Sequence, residues 1–534
     1  MAKRELKYYN NRYMGSLTET QCEIIEDLLE LDKMNGCLTD LRHVIYNIDK
    51  SDVLQLIEDH EVFGRSIHNF ERKIGTLRDD QTIGVGLMYY ANNCILGDSV
   101  GLGKTVEIAG LCNLLKSEAS KKGEDFKCLF LTEKNLVEQV REEMIKFTGE
   151  YVDLLPNGEI KTVRNYIEVC NEYGVRYSVA GSHSLISQPA FVGWLTQLDR
   201  DNNFPFDIIV VDESSVLGGS KSAITKTFKL ISKYFKRIIF LNATPFDTKL
   251  GVFYNQLSLI DNKLLPTKTN FTKEYEIMDY RGMYPRPSGK YKNQQQFKDA
   301  VGYRYFARTR KDKGADMKDC SGGIKISPLS DIQKEWLRKS QMSRLVYDCP
   351  TYLDPSIDFN EINVPKLSSL ADLLENEYSE ADTILIFSHY KETQKYLSDW
   401  LSARGYSNRV LNGDTKKNDR IAIIESFKRS EFNVLITNVQ KGLNFGNCNH
   451  CIFYSYDPNP SKMIQFEGRM TRDFDIIGKN IYILVSEGAE YKTLIRTVRD
   501  RAKATTEFTK TDISVVLNIL LGVDLDVPKF SEEE

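Results

Sequence analysis

Cys94-Ile-Leu-Gly-Asp-Ser-Val-Gly-Leu-Gly-Lys-Thr-Val-Glu-Ile-Ala109 runs from a short apolar segment, through a glycine loop, into a helical pattern. A triphosphate is cradled by main-chain N–H groups that point inward, and a chain without Cβ atoms curls that tightly most readily. Gly101 and Gly103, with Leu102 between them, meet that need. Lys104 then stands where its ammonium would meet the β- and γ-phosphates, and Thr105 where its hydroxyl would meet Mg²⁺. The helix that follows adds its N-terminal dipole. The stricter pattern G-x-x-x-x-G-K-T calls for glycine at 98, where this chain has Asp98.

Downstream, Phe206-Asp-Ile-Ile-Val-Val-Asp-Glu-Ser-Ser215 reads as a buried strand ending in two carboxylates. Asp212 is the candidate Mg²⁺ ligand and Glu213 the candidate base for an attacking water. Phe240-Leu-Asn-Ala-Thr-Pro245 ends another strand, and Asn242 and Thr244 are expected to hydrogen-bond the acidic pair and couple its state to the rest of the molecule.

At 534 residues the chain exceeds one hydrophobic core. Continuous apolar runs, the mark of parallel strands buried on both faces, fall into two sets. The first is Cys94-Ile-Leu, Cys128-Leu-Phe-Leu, Asp207-Ile-Ile-Val-Val and Arg237-Ile-Ile-Phe-Leu. The second is Thr383-Ile-Leu-Ile-Phe, Asn433-Val-Leu-Ile-Thr, Cys451-Ile-Phe-Tyr and Asn480-Ile-Tyr-Ile-Leu-Val. Expected divisions are a helical accessory region at 1–70, a first α/β lobe at 71–262, a basic and aromatic insertion with linker at 263–345, a second lobe at 346–505 and an extension at 506–534. Residues 1–70 carry no motif.

The formal net charge is -4, so any nucleic-acid surface must be local. Residues 263–318 supply one, with fourteen Lys/Arg against six Asp/Glu, a net of +8 while the remainder carries -12. Lys290, Lys292, Arg308, Arg310 and Lys311 are its candidate phosphate contacts, interleaved with tyrosine and phenylalanine. Of the ten cysteines only Cys448 and Cys451 lie close, without the second pair that a zinc site needs, and Cys451 reads as the start of a buried strand. The start of the chain lacks the apolar core of a signal peptide and no apolar stretch reaches membrane-spanning length, so a cytoplasmic protein without membrane contact is expected.

These elements, in this order, resemble superfamily 2 helicases, and their wording resembles the Snf2-like branch. Gly97-Asp-Ser-Val-Gly-Leu-Gly-Lys-Thr105 is similar to that branch's A-D-E-M-G-L-G-K-T, with Asp98 in place. Leu77-Arg78-Asp-Asp-Gln81-Thr-Ile-Gly84 fits its L-R-x-x-Q-x-x-G element, whose glutamine reads the adenine; Arg78 and Gln81 thereby join the nucleotide set. Leu129-Phe-Leu-Thr132-Glu-Lys134 looks like a nucleic-acid-contacting segment, and Asp212-Glu-Ser-Ser stands where the family has D-E-A-H or a relative. Val364-Pro-Lys-Leu and Thr383-Ile-Leu-Ile-Phe-Ser-His-Tyr resemble the opening of the second lobe. Leu435-Ile-Thr437-Asn438-Val-Gln-Lys-Gly-Leu-Asn-Phe is similar to the element that touches the sugar-phosphate backbone. Gln465-Phe-Glu-Gly-Arg469-Met-Thr-Arg472 is a full Q-x-x-G-R-x-x-R, although the histidine often found around its last arginine is missing. Tyr303-Arg-Tyr-Phe-Ala-Arg-Thr-Arg-Lys311 is similar to the segment entering the second lobe.

The resemblance spans about 77–500. It implies two RecA-like lobes with parallel sheets, a helical basic insertion between them and a small helical N-terminal region. It also implies an ATP- and Mg²⁺-using, nucleic-acid-stimulated ATPase that moves along DNA, duplex or branched in preference, as in compact phage-type branch-migration helicases. Arg469 and Arg472, on one face if their segment is helical, would stabilise the transferring phosphoryl group with Gln465 beside them, completing the site when the lobes close. An arginine in that role is worth about 10³–10⁵ in rate. An RNA-directed helicase, and a nucleotide-gated clamp on nucleic acid or polymerase without turnover, are the competing readings. A monomer is expected, with polymerase or replication and repair proteins as candidate partners.

Overall fold

The computed structural model describes residues 77–522 apart from 135, 149–151, 155–166, 168–177, 202–203, 205, 246–248, 281–285, 340–342, 349–363, 380, 440–444, 446–447, 472–474, 510–511 and 513. The expected accessory region at 1–70 lies outside the described residues. The chain divides into two compact units, Met1–Lys313 with Glu507–Thr511, and Gly314–Thr506 with Asp512–Glu534.

The first unit is built on a seven-stranded, wholly parallel sheet. Its strands are β1 (Asn93–Leu96), β2 (Cys128–Thr132), β3 (Val152–Leu154), β4 (Ser178–Ser182), β5 (Ile208–Asp212), β6 (Arg237–Leu241) and β9 (Tyr305–Phe306), in the order β3-β4-β2-β5-β6-β1-β9. Ile208 to Val211 and Cys128 to Thr132 are buried throughout, which is why neither run alternates in sequence. Helices α1 (Asp79–Ala91), α2 (Lys104–Lys121) and α3 (Val137–Thr148) contribute Val85, Met88, Ile108, Leu111, Cys112 and Met144 to a core shared with the strands.

Sheet order rather than chain order brings the motifs together. Strands β2, β5, β6 and β1 are consecutive neighbours, and the register sets Leu96 beside Leu241 and Leu241 beside Asp212. Neighbouring strands lie about 4.8 Å apart. The loop after β1 and the carboxylates after β5 therefore open on the same sheet edge, about 10 Å apart, at the carboxyl ends where such sheets bind ligands.

The basic stretch does not form a body of its own. Up to Lys313 it belongs to the first unit, mixing short helices with the antiparallel hairpin β7 (Glu276–Asp279) and β8 (Arg286–Tyr291), then adding β9 to the main sheet. From Gly314 it belongs to the second unit, where β11 (Ser321–Ser327) joins a parallel six-stranded sheet.

That second sheet runs β11-β17-β15-β12-β14-β13, with β12 (Ile384–Phe387), β13 (Asn408–Leu411), β14 (Val434–Thr437), β15 (His450–Phe453) and β17 (Asn480–Ser486), while β10 (Met317–Lys318) and β16 (Ile476–Ile477) form a separate parallel pair. Cys451 is a buried strand residue of β15. Lys366, from Val364-Pro-Lys-Leu, is fully buried and bonded to Asp348 at 2.8 Å, Glu490 at 3.0 Å and the Tyr454 carbonyl at 3.3 Å. Among the described residues no helix is long and apolar enough to cross a membrane.

Candidate active site

Between β1 and α2 the loop takes positive φ at Gly101 (89°) and Gly103 (87°), a region a Cβ disfavours. A Cβ on Gly103 would also lie 2.6 Å from Gln81 Nε2. Lys104 Nζ donates to the carbonyls of Asp98 at 2.7 Å and Ser99 at 3.2 Å, which holds the ammonium across the mouth of the loop. Thr105 is half-buried beside it. Arg78 Nη2 donates to the Leu102 carbonyl at 2.8 Å and Gln81 Nε2 to the same oxygen at 3.4 Å, while Gln81 Oε1 accepts from the Arg78 N–H. The L-R-x-x-Q element therefore braces the loop from below.

Asp98 was expected among the nucleotide contacts, and its side chain is elsewhere. It is wholly buried under the loop, paired with the guanidinium of Arg308. Arg308 donates to Asp98 Oδ1 from its main-chain N–H at 2.9 Å and from Nε at 3.1 Å, and from Nη2 to Glu107 Oε2 at 2.5 Å. Burial pushes the Glu107 carboxyl up to about 8; Arg308 pulls it down and Asp98 pushes it further up. Glu107 Oε1 has no hydrogen-bond partner among the described residues. Arg308 and Arg310, expected on a nucleic-acid face, are 0% and 6% exposed, so their guanidiniums present nothing to a phosphate backbone. Lys290, Lys292 and Lys311 of the same set are exposed.

At the end of β5, Asp212 Oδ2 accepts from Thr132 Oγ1 at 3.0 Å and Oδ1 from the Glu213 N–H at 3.0 Å. His183 Nε2 lies 2.6 Å from the Asp212 carbonyl, and since a carbonyl only accepts, that nitrogen carries a proton. Each Asp212 oxygen keeps a lone pair beyond its one protein bond, so this carboxylate fits a Mg²⁺ ion. Glu213 takes a left-handed φ of 48°, turning its side chain off the strand line. Thr132, expected to touch nucleic acid, is 0% exposed and serves Asp212 instead. Thr437 is likewise buried, its hydroxyl accepting from the Val439 N–H, so it too offers no side chain to a strand. Lys134 is exposed, and Asn438 is half-buried with its amide on the His389 carbonyl at 3.4 Å.

Asn242 does not bond the acidic pair. Its amide donates to Gln256 Oε1 at 3.0 Å, Ser214 Oγ donates to the same oxygen at 2.7 Å, and Asn242 Oδ1 accepts from the Thr244 N–H at 3.0 Å. Gln256, fully buried, thus ties the residue after Glu213 to the end of β6. Nothing in the local sequence marks it, nor His183.

In the second unit, helix Pro460–Glu467 stops short of Arg469, which sits in the following turn and is 9% exposed; Gln465 is half-buried on the helix. Arg469 is therefore off that helix, and Arg472, with the expected pairing of the two, lies outside the described residues. Glu467, unremarked in sequence, caps the helix Val515–Leu521 by accepting from the Val515 and Val516 N–H groups at 2.7 and 3.0 Å and from Ser514 Oγ at 2.5 Å.

A model of the SNF2-related domain matches residues 6–363, more than half of the chain, and the helicase conserved C-terminal domain matches 365–473. The chain belongs to the SNF2-related domain family. This SNF2-related chain is thereby a superfamily 2, Snf2-like helicase-type protein, as its motifs implied. It is 24% identical over 464 residues to human (Homo sapiens) "DNA repair and recombination protein RAD54B", covering 74% of this chain and 50% of that one. It is 25% identical to the "Uncharacterized ATP-dependent helicase YqhH" of Bacillus subtilis, covering 71% and 69%. The chain spans about half the length of the RAD54B proteins it matches. Among solved structures it resembles the "Sulfolobus solfataricus SWI2/SNF2 ATPase core in complex with dsDNA" at 17% identity and a TM-score of 0.38, covering 82% of this chain and 98% of that one.

Proposed function

We propose that this SNF2-related chain is an ATP-dependent DNA translocase or helicase that couples ATP hydrolysis to movement along double-stranded DNA, for remodelling or branch migration. The observation that carries the reading is the sheet edge of the first unit, where Lys104 is held at the loop mouth and Asp212 is fixed from three sides two strands away. The RAD54B relatives, named for DNA repair and recombination, support DNA over RNA as the track.

In this reading the N–H groups of the loop from Gly101 to Thr105 bind the phosphates. Lys104 exchanges its two carbonyl partners for phosphate oxygens. Thr105 and Asp212 would hold Mg²⁺, which neutralises charge on the β- and γ-phosphates when bound. Glu213 accepts the proton of the attacking water. Arg469 and Arg472 are assigned the guanidiniums that meet the transition-state charge. Exposed Lys134, Lys290, Lys292 and Lys311 are assigned to the DNA backbone.

Steady-state ATPase measured with single-stranded, duplex and forked DNA and with RNA tests this. Duplex or forked DNA should stimulate most, and Glu213→Gln should abolish turnover while leaving nucleotide binding intact. Stimulation by RNA alone would overturn the DNA track; binding without any turnover in the unmodified chain would overturn the motor.

A further inference from the structure

The segment 304–310 is laced to the phosphate loop along its length. Ile95 N–H donates to the Arg304 carbonyl at 2.7 Å, Gly97 N–H to Phe306 at 2.5 Å and Ser99 N–H to Arg308 at 3.0 Å. This parallel ladder continues the β1–β9 pairing past the end of β1 and into the loop itself. Contact is close enough that a Cβ on Gly97 would lie 2.4 Å from the Tyr305 ring. The segment is fixed at its start by Arg304, which reaches Asp261 at 3.3 Å. At its other end the Arg308 fork grips Asp98, and the Asp98 carbonyl is the nearer partner of Lys104. Five residues beyond Arg308 the chain passes from the first unit into the second.

We infer that residues 304–310 form a nucleotide-responsive strap, with Arg308 as the positioning residue that joins it to the phosphate loop. The inference rests on the nucleotide-binding reading above. When phosphate draws Lys104 away from the Asp98 and Ser99 carbonyls, the peptide planes of 97–99 readjust. The Gly97 and Ser99 N–H groups and the Asp98 carboxylate are bonded to the strap, so the strap readjusts with them. Occupation of the loop is thereby carried into the chain that joins the two units. Lysine cannot replace Arg308 here, because one guanidinium spans both Asp98 oxygens and Glu107 at once, and an ammonium has no such planar fork.

Hydrogen exchange of the full chain, read by mass spectrometry with and without Mg²⁺ and the non-hydrolysable analogue AMP-PNP, tests it. Peptides covering 97–104 and 304–310 should both slow on adding the analogue. In Arg308→Lys, and in Asp98→Asn as a milder second variant, 97–104 should still slow while 304–310 responds at least threefold less. Slowing of 97–104 with no change at 304–310 in the unmodified chain would overturn the strap and leave nucleotide binding standing. No slowing in either segment would instead remove the nucleotide reading, and the strap with it. A role for Arg308 in stability alone predicts lower melting temperatures for the variants with the strap response intact, and that outcome also overturns the inference.

Discussion

Replacing Lys366 with methionine isolates what a buried ion cluster contributes to the second unit. Lys366 is fully enclosed, and its ammonium is shared by Asp348 at 2.8 Å and Glu490 at 3.0 Å, each with a side chain 2% exposed. Methionine fills most of the volume of the lysine stem, so the cavity term is small and the electrostatic one dominates. Two carboxylates are then left facing each other without a counter-charge. Breaking a buried pair by removing one partner costs about 3–5 kcal/mol. The triple variant Lys366→Met, Asp348→Asn, Glu490→Gln removes all three charges together, and such neutral replacements of buried clusters are often close to neutral in stability. It should cost less than about half as much as the single change.

The assay is urea unfolding followed by tryptophan fluorescence in a Trp194→Phe background. Trp336 and Trp400, both in the second unit, then supply the whole signal. A single variant that loses under about 1 kcal/mol, or a triple variant that loses as much as the single, would refute the reasoning. Either result would mean that the cluster is solvated or that packing rather than charge fixes Lys366.

Gly84→Ala should destabilise the first unit by about 1–3 kcal/mol in a thermal melt despite the better helix propensity of alanine, because its Cβ would lie 2.1 Å from Glu107 Oε2 and 2.4 Å from Arg308 Nη2; a neutral or stabilising effect would show that the Arg308 cluster is loosely packed. Thr132→Val removes the hydroxyl that holds Asp212 Oδ2 and should raise the Mg²⁺ concentration for half-maximal ATPase roughly tenfold with little change in kcat at saturation; an unchanged Mg²⁺ titration counts against Asp212 as a ligand. Lys290→Gln with Lys292→Gln should lower the slope of log K against log salt for duplex binding by up to about 2, while Arg308→Lys leaves it unaltered. Burial depresses the pKa of His450 against the pull of Asp382, so the unfolded state takes up a proton first as pH falls below 6.5 and stability drops on acidification; His450→Phe should flatten that part of a urea-midpoint profile, and an unaltered profile would exclude this histidine.

The strands were legible because runs such as Ile208 to Val211 and Ile384 to Phe387 are buried on both faces and leave no alternation to confuse. The placement of the loop at 97–105 and of the acidic pair at strand ends was legible for a different reason: it depends on main-chain shape and on adjacent residues, and both are local. Gln256 and His183 were not legible. Each works through a partner far along the chain, Ser214 and Asn242 for the first, Asp212 for the second, and side-chain type alone does not say which carbonyl or amide it will find. Charge counting failed in a third way. Fourteen cations in 263–318 define a field only if they face water, and Arg308 and Arg310 do not. An aromatic-rich basic stretch has the same composition whether its arginines line a surface or neutralise carboxylates beneath one.

Arg308 also joins features that sequence reading treats as separate motifs. With aspartate at 98 rather than glycine, a carboxylate is sent under the phosphate loop, where a bare charge would be very costly. A guanidinium must follow it there, and the strap supplies one from 210 residues away. The guanidinium needs space against α1, and Gly84 provides it; a side chain at that position would strike Arg308 before anything else except Glu107. The final glycine of the L-R-x-x-Q-x-x-G element, the aspartate that breaks the strict phosphate-loop pattern and the arginine of the exit segment are thus one packing unit. Changing Asp98 or Arg308 removes the buried pair between them, and a side chain at 84 would press on Arg308 and Glu107. Their effects should therefore be strongly non-additive, whereas three independent nucleotide contacts would each lose affinity on its own account.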